Sequence, residues 1–457
     1  MPPLTPTAPR LPQLEPAVPA AAPRHRAALA FGLLALLLLL RTGYGLVSEF
    51  WFEDELQVYL LGLKYATTGA WPYFGPDVVY TRSQIPGALQ ALLVGLPLRW
   101  LRLPEAPCLA LNLLSFAALA ALAARATRWF PGLPRWFVWG WALTCPWTLV
   151  YGTRVVNPSY VLPFAVLFFV PLLDTLPVFP GPRLRPGLAF ALQGLATTCI
   201  LQLHLSWVLL PPFTAAALLL AWREAGPRAA VSRAASWAAG AAAGAALLVP
   251  TFLRYGASGT GGVEHNVALH PRALLELPAL VQRFVSFGAF EVPYMLGGDR
   301  AQRVAVLAAH PWVIPFAAAL FAAFLLQVAL YVLSLLRRGA AAWTRLRDLV
   351  LACLALLAAG FLFSVKGPSS HTFYVLFPVA LLWSFACLQR ALAARARLRV
   401  ALALLLACGA VFHAALALEH YRHRSLYRDR DRVVRALEAR DHRLLGTRRA
   451  EAWGRGY

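Results

Sequence analysis

The chain has 457 residues, of which 60% are hydrophobic and 14% are charged, and its formal net charge is +22. A soluble domain is closer to half apolar and a quarter charged, and it does not need apolar runs as long as Ala27–Leu40, Ala234–Leu253 and Val400–Leu418. A helix that spans a bilayer needs about 20 such residues. The composition therefore excludes a soluble protein and predicts an all-α polytopic membrane protein.

The positive charge does not predict a nucleic-acid partner. The 42 basic residues are all arginine except Lys64 and Lys366, and they lie mostly between the apolar runs, as cations flanking membrane spans do. The six cysteines lie in apolar segments without a Cys-x-x-Cys pair. The sequence therefore predicts buried thiols and no metal site.

In chain order, residues 1–26 predict a disordered cytoplasmic tail, residues 27–418 a transmembrane domain, and residues 419–457 a charged tail with a helix on the membrane surface. The first apolar run predicts an uncleaved span. Arginine-rich loops mark the cytoplasmic side and alternate with weakly basic loops from residues 125–135 onward. The later candidate helices are 86–102, 107–127, 135–152, 158–177, 187–203, 206–222, 234–253, 311–336, 348–365, 371–389 and 400–418.

One of these segments is not expected to cross. If every segment crossed, the basic loop at 125–135 would lie outside. Segment 86–102 is short, begins at Pro86 and carries Arg99 and Arg102, so we expect it to stay on one side. The resulting scheme has about eleven crossings, with the N-terminus inside, the C-terminus outside, and two long outer loops at 48–85 and 254–310.

The first outer loop opens with four of the 20 acidic residues of the chain, Glu49, Glu53, Asp54 and Glu55. Carboxylates close together at a lipid boundary raise one another's pKa and can serve as a general base. The same cluster equally suits a divalent cation, or a solvated loop edge beside interfacial aromatic residues. Later in the loop, Arg82 suits a phosphate at the membrane surface, and an ordinary interfacial arginine explains it as well.

The order of these features resembles the GT-C class of membrane glycosyltransferases. More narrowly, it is similar to bacterial relatives of dolichyl-phosphate-mannose protein mannosyltransferase and of the aminoarabinose transferase of lipid A. The likeness covers the layout from about residue 27 to 390, and the family's basic-Pro-Pro triplet is replaced here by Arg82-Ser83-Gln84-Ile85-Pro86. The matching residues are Asp54-Glu55, Tyr59 on a surface helix, Gly69-Ala70-Trp71, and Arg82 ahead of Pro86.

Several later residues extend the resemblance. Asn157 stands where the family often has a second acid, and its amide can hydrogen-bond a sugar but cannot act as a base. Because Pro158 follows it, Asn157 is equally explained as a helix-start cap. His204 lies at an outer helix end, where a satisfied interface histidine is the alternative. The remaining candidates on the outer face are Arg154, Lys366 and His371.

The resemblance implies a GT-C-type bundle of about 11 to 12 transmembrane helices in the inner (plasma) membrane, with its active site facing the periplasm or exterior. It implies an inverting glycosyltransferase that moves a sugar from a polyprenyl-phosphate-linked donor to an acceptor glycan, lipid or protein, without a cofactor or metal. Asp54 is then the general base, and Glu55 positions the acceptor or tunes Asp54. The expected substrate-binding residues are Arg82, Tyr59, Glu53, Arg154, Asn157, His204, Lys366 and His371.

Two other functions stay open. A lipid or glycan transporter or flippase places ionisable residues inside its spans, where this chain has few polar residues, among them Asp174 and Gln193. A catalytically inactive GT-C-like envelope protein would keep the same layout, and an asparagine at position 157 is compatible with it.

Overall fold

The computed structural model describes residues 24–48, 53–78, 83–181, 183–364, 369–424 and 430–445. These residues form a helical bundle with one small two-stranded sheet, so the prediction of a helical polytopic membrane protein is confirmed. Among them, seven segments are long and apolar enough to cross a membrane: Ala28–Ser48, Ala106–Trp129, Asn157–Thr175, Leu205–Thr260, Pro311–Leu335, Ser370–Ala394 and Leu398–Arg422.

The first outer loop builds a platform at one end of the bundle, and it contains strands that the sequence did not predict. The two strands pair antiparallel, with Phe74 opposite Pro86 and Asp77 opposite Gln84. The elements of this region are α1 (Arg24–Ser48), α2 (Glu53–Thr68), β1 (Phe74–Val78), β2 (Ser83–Pro86) and α3 (Leu89–Leu101).

Helix α3 stays on one side of the bundle, as predicted for segment 86–102. It has only 13 residues, and it packs so closely on α2 that a Cβ added at Gly62 would lie 2.3 Å from Val94. The next helix, α4 (Ala106–Trp129), begins beside the end of α1, because a Cβ added at Gly45 would lie 3.3 Å from the Cys108 sulfur. The chain therefore leaves α1 and enters α4 at the same end of the bundle.

The predicted span 135–152 is two helices, α5 (Arg135–Thr144) and α6 (Pro146–Thr153). Pro146 has no N–H to continue the helix, and Cys145 before it is extended, with ψ of 152°. Helix α7 (Asn157–Thr175) then runs back through the bundle, and α8 (Pro186–Leu201) returns to the platform end.

Helix α9 (Pro211–Ala245) is two arms joined at Gly226, whose φ of +82° is left-handed and favours glycine. Both arms pack on α8. Thr214 of the first arm donates to Gln193 at 3.4 Å, and Gly240 of the second lies against the backbone of Ala191. The arms correspond to the predicted spans 206–222 and 234–253, with the arginine-rich turn between them.

Part of the second outer loop packs inside the bundle. The Phe290 ring lies 6.3 Å from the Trp141 ring and 5.5 Å from the Phe412 ring, both on spanning segments. The helices of this region are α10 (Val249–Tyr255), α11 (Leu277–Ser286), α12 (Val292–Leu296) and α13 (Arg300–Ala309).

The last helices return the chain to the platform end of the bundle. Helix α17 continues six residues beyond the predicted boundary at 418. Helix α18 packs its buried Val433 and Ala436 on the protein, in contact with α2, and Arg430 pairs with Glu105 at 2.7 Å. These helices are α14 (Ile314–Leu335), α15 (Ala341–Leu362), α16 (Phe377–Ala394), α17 (Leu398–Arg424) and α18 (Arg430–Glu438).

Candidate active site

A cavity of about 1170 Å³ lies at the platform end of the bundle, lined by α2, the α6–α7 junction, the segments that follow α8 and α15, and part of the second outer loop. Sites for small molecules usually have volumes of roughly 300–1,000 Å³, so this cavity is large enough for a ligand with more than one chemical part. One of its walls is polar and another is apolar.

The polar wall begins with the two acidic residues in the first turn of α2. The positive end of a helix dipole stabilises carboxylates in this position. Asp54 is exposed and lines the cavity, whereas Glu55 is 4% exposed. An oxygen of Glu55 lies 3.6 Å from Nη1 of Arg154, whose side chain is 18% exposed. The exposed acid is therefore accessible to a ligand, while the buried one holds the arginine in place.

The α6–α7 junction supplies the next two residues of this wall. Arg154 follows the last residue of α6 in an extended conformation, and Asn157 is the first residue of α7. The cap position of α7 is Val156, and no side chain caps it. In the described part of the chain nothing hydrogen-bonds the Asn157 amide, which lines the cavity. The helix-cap explanation for Asn157 is therefore wrong, and its amide is available to a ligand.

Two histidines complete the polar wall. His204 precedes a 3₁₀ helix, Leu205–Leu209, and its Nδ1 accepts a hydrogen bond from the backbone N–H of Ser206 at 3.1 Å. In the neutral ring the proton must then be on Nε2. His371 lies in the segment after α15, with both ring nitrogens within 3.4 Å of the Ser369 hydroxyl. Both histidines line the cavity.

Sequence reasoning missed a tyrosine pair in this cavity. The hydroxyls of Tyr151 and Tyr294 are 2.7 Å apart, and both rings stack on Trp147. Burial raises the pKa of Tyr294 above its ordinary value, so its hydroxyl stays protonated at neutral pH. Tyr151 lies on α6, three residues before Arg154, and this closeness in sequence was a usable signal. The sequence around Tyr294 offers no comparable signal.

The apolar wall faces the side of the bundle. Val208 and Leu209 of the 3₁₀ helix lie opposite Leu357, Phe361 and Phe363 at the end of α15. Val208 is 54% exposed and Phe363 53% exposed. These two side chains give the cavity lining an exposed apolar part.

Tyr59 is not part of the cavity. It is 2% exposed, and its hydroxyl donates to the backbone carbonyl of Pro104 at 2.7 Å. The expected substrate contact does not fit this position. Tyr59 instead joins α2 to the residues that precede α4 through this hydrogen bond. Arg82 and Lys366 lie outside the described residues, as does the side chain of Glu53.

Two further carboxylates in the cavity were also missed. Asp77 of β1 and Glu264 of the second outer loop both line it. Glu264 accepts a hydrogen bond from the Thr260 hydroxyl at 3.1 Å. Within the described parts of the chain, no group of three or more His, Cys, Asp or Glu side chains is placed to hold a metal ion.

Comparison with known proteins finds two similar crystal structures. The first is ArnT from Cupriavidus metallidurans in the apo state, with 13% identity, a TM-score of 0.48, and coverage of 88% of this chain and 78% of that chain. The second is ArnT from the same organism bound to undecaprenyl phosphate, with 12% identity, a TM-score of 0.49, and coverage of 93% and 79%. No family model and no curated protein matches the chain.

Proposed function

We propose that this protein is an inverting glycosyltransferase of the inner (plasma) membrane. It transfers a sugar from a polyprenyl-phosphate-linked donor to a hydroxyl of an acceptor glycan, lipid or protein on the extracytoplasmic face. The observation that carries this proposal is the two-walled cavity. Its lining combines carboxylates, an arginine, an amide and imidazoles with apolar side chains of the 3₁₀ helix and α15, and a polyprenyl-phosphate sugar likewise combines a charged head with an apolar chain.

The donor lies across the two walls. Its first prenyl units pack on Leu357, Phe361 and Phe363, and its phosphate lies beside Arg154. A guanidinium binds phosphate oxygens through charge-assisted, often bidentate hydrogen bonds. The pairing of Arg154 with Glu55 fixes the guanidinium before the donor arrives. Arg82 and Lys366 are proposed from the sequence as further cations around the phosphate.

Transfer is a single displacement at the anomeric carbon of the sugar. The exposed Asp54 carboxylate accepts the proton of the acceptor hydroxyl, and the acceptor oxygen bonds to that carbon. The bond from the carbon to the phosphate oxygen breaks with its electron pair, and polyprenyl phosphate leaves. Asn157, His204 and His371 hydrogen-bond the sugar and the acceptor. A positioned general base contributes roughly 10²–10⁴-fold to the rate of such a step.

Purified protein in liposomes, supplied with a panel of polyprenyl-phosphate sugars and an envelope extract as the acceptor source, tests this proposal. Release of free polyprenyl phosphate and labelling of the acceptor are followed by mass spectrometry. We expect Asp54→Asn to lower the turnover by about 10²-fold or more, because an amide cannot take the proton. Asp348→Asn is the matched control, since Asp348 is exposed on α15 and does not line the cavity. Full turnover by Asp54→Asn would remove Asp54 from the reaction.

The polar residues inside the spans favour this proposal over a transporter. Asp174 pairs with Arg125 at 3.1 Å, and Gln193 donates to the Thr175 hydroxyl at 3.2 Å. These groups join neighbouring helices and do not line the cavity, whereas a transport pathway needs ionisable groups along its length. Movement of donor lipid between leaflets of the same liposomes, without product formation, would support the transporter and contradict the enzyme.

A further inference from the structure

Arg41 is a buried cation inside the first spanning helix, and neither the proposed chemistry nor the sequence patterns account for it. The residue is 1% exposed and follows a run of leucines. A charged side chain within a spanning helix is costly and usually has a specific partner. Among the described residues, the partners of this guanidinium are three oxygens, none of which belongs to a carboxylate.

One of these oxygens lies at the break between α5 and α6, and a second lies in the first turn of α6. Arg41 donates through Nη1 to the carbonyl of Leu143, and through Nη2 to the carbonyl of Thr148 at 3.2 Å. Pro146 lacks the N–H that would continue the helix, so carbonyls at this break lose their partners within the helix. In a membrane no water replaces those partners, and other side chains must do so. The guanidinium therefore supplies a hydrogen-bond donor for the Leu143 carbonyl at the break.

The third oxygen connects the same guanidinium to α4. Arg41 Nε donates to the Asn112 side chain at 3.2 Å, and the Asn112 amide donates to Thr42 at 2.6 Å. A second donor reaches the first turn of α6, because the Tyr374 hydroxyl donates to the Trp147 carbonyl at 2.8 Å. The start of α6 is therefore held between α1 and the segment that precedes α16.

The absence of a side chain at Gly152 leaves space for the Arg41 guanidinium. A Cβ added at this position would lie 2.5 Å from Nη2 of Arg41, which is too close for any side chain. Gly152 lies between Tyr151, which lines the cavity, and Thr153, the last residue of α6; Arg154 follows at once. The contact with Arg41 thus extends along α6 from the break to the end that carries the cavity residues.

We propose that Arg41 is a positioning residue that fixes the direction of α6, and through it the placement of Tyr151 and Arg154 in the cavity. The structural half of this proposal is independent of the reaction. Its catalytic half rests on the proposed function, because it is measured as turnover.

The accessibility of four cysteine thiols measures whether Arg41 fixes the position of α6. Cys145 lies at the break and is fully buried, and the Cys108 thiol donates to the carbonyl of Thr153 at 3.3 Å. Cys353 and Cys387 are buried elsewhere, in α15 and α16. Labelling of the folded protein with N-ethylmaleimide, mapped by mass spectrometry, follows all four thiols in one sample.

We expect Arg41→Gln to raise the labelling rates of Cys145 and Cys108 by at least about tenfold, with Cys353 and Cys387 unchanged, because only α6 is released. Gly152→Ala should have the same effect, since its methyl group displaces the guanidinium without removing the charge. This variant keeps the test available if Arg41→Gln does not fold. Gly43→Ala is the matched control on α1, as nothing lies within 4 Å of its added Cβ.

The turnover of these variants shows whether Arg41 positions the cavity residues or only stabilises the fold. We expect each variant to lower kcat/KM by about 10²-fold, as a misplaced binding group does. The double variant should lose no more than either single variant, because both changes break one contact. Arg41→Lys should restore part of the loss. Unchanged labelling of Cys145 and Cys108, equal labelling of all four thiols, or additive losses in the double variant would each overturn the proposal. Correct labelling without any transferase activity would instead refute the proposed function alone.

Discussion

Glu291 is a buried acid whose replacement should stabilise the protein at alkaline pH. It lies between α11 and α12, outside the spanning helices, and is 7% exposed. Its Oε2 atom is buried without a hydrogen-bond partner among the described residues. Burial raises the pKa of this carboxyl from 4.5 to about 7, and the neighbouring Trp147, Gln282 and Arg283 oppose the shift only in part.

The direction and size of the effect follow from proton linkage. A raised pKa means that the folded protein binds this proton more tightly than the unfolded chain does. The stability due to Glu291 is therefore complete below pH 4.5 and is lost as the pH rises through about 7. One pKa unit corresponds to about 1.4 kcal/mol, so a rise from 4.5 to about 7 amounts to a loss of about 3 kcal/mol at pH 8.

Glu291→Gln keeps the shape of the side chain but cannot ionise, so it should not show this loss. Thermal unfolding in detergent, followed by tryptophan fluorescence at pH 5 and pH 8, measures the difference in Tm between the variant and the wild type. We expect similar Tm values at pH 5 and a higher Tm for the variant at pH 8. Glu276→Gln, at an exposed position in the same loop, is the control. A Tm difference that does not change between the two pH values would refute the reasoning.

Two further predictions concern the apolar wall and the C-terminal segment. Phe363→Glu should raise the KM for a long-chain donor and leave that for a short-chain donor unchanged, because Phe363 is an exposed apolar part of the cavity lining; equal increases for both donors would contradict this role. Burial and the nearby Lys64 lower the pKa of His442 below 6.5, so the docking of residues 430–445 should be stable at pH 7.5 and weaken as the pH falls below 6.5. Hydrogen exchange of that segment, corrected for intrinsic rates, should rise at pH 5.5 in the wild type and stay constant in His442→Gln, and an equal rise in both would exclude His442 as the cause.

The sequence predicts most of the spans because burial in a bilayer leaves a signal in every residue of a helix. It also predicts that α3 does not cross, since arginines mark the sides of the membrane. Breaks within spans are harder to predict. Pro146 is visible in the sequence, but whether a proline kinks a helix or ends it depends on the donors that satisfy the freed carbonyls. Here one of those donors is Arg41, about a hundred residues away along the chain.

The sequence likewise predicts some of the cavity residues and not others. Asp54, Arg154 and His371 were predicted as outer-face candidates, and the structure brings them to one cavity because each follows the outer end of a helix. Tyr294 and Glu264 come from the second outer loop, whose path depends on contacts distant in sequence. Tyr59 was placed wrongly for a related reason. A surface helix has one face toward the ligand and one toward the protein, and periodicity does not distinguish them.

The position of the cavity follows from what a membrane allows. Asp54, Arg154 and Asn157 come from a helix end or a break, where backbone groups lack partners within the helix. Such ends are tolerated within a bundle only beside water or beside side-chain donors. At the cavity, the lining leaves Asn157 accessible to a ligand, and the N-terminus of α7 adds a positive dipole that suits a phosphate. At the break between α5 and α6, Arg41 provides such a side-chain donor for the Leu143 carbonyl. The break at Pro146 and the cavity are therefore linked through α6, which ends beside the cavity at Arg154 and has the buried Arg41 bound to a carbonyl at the break.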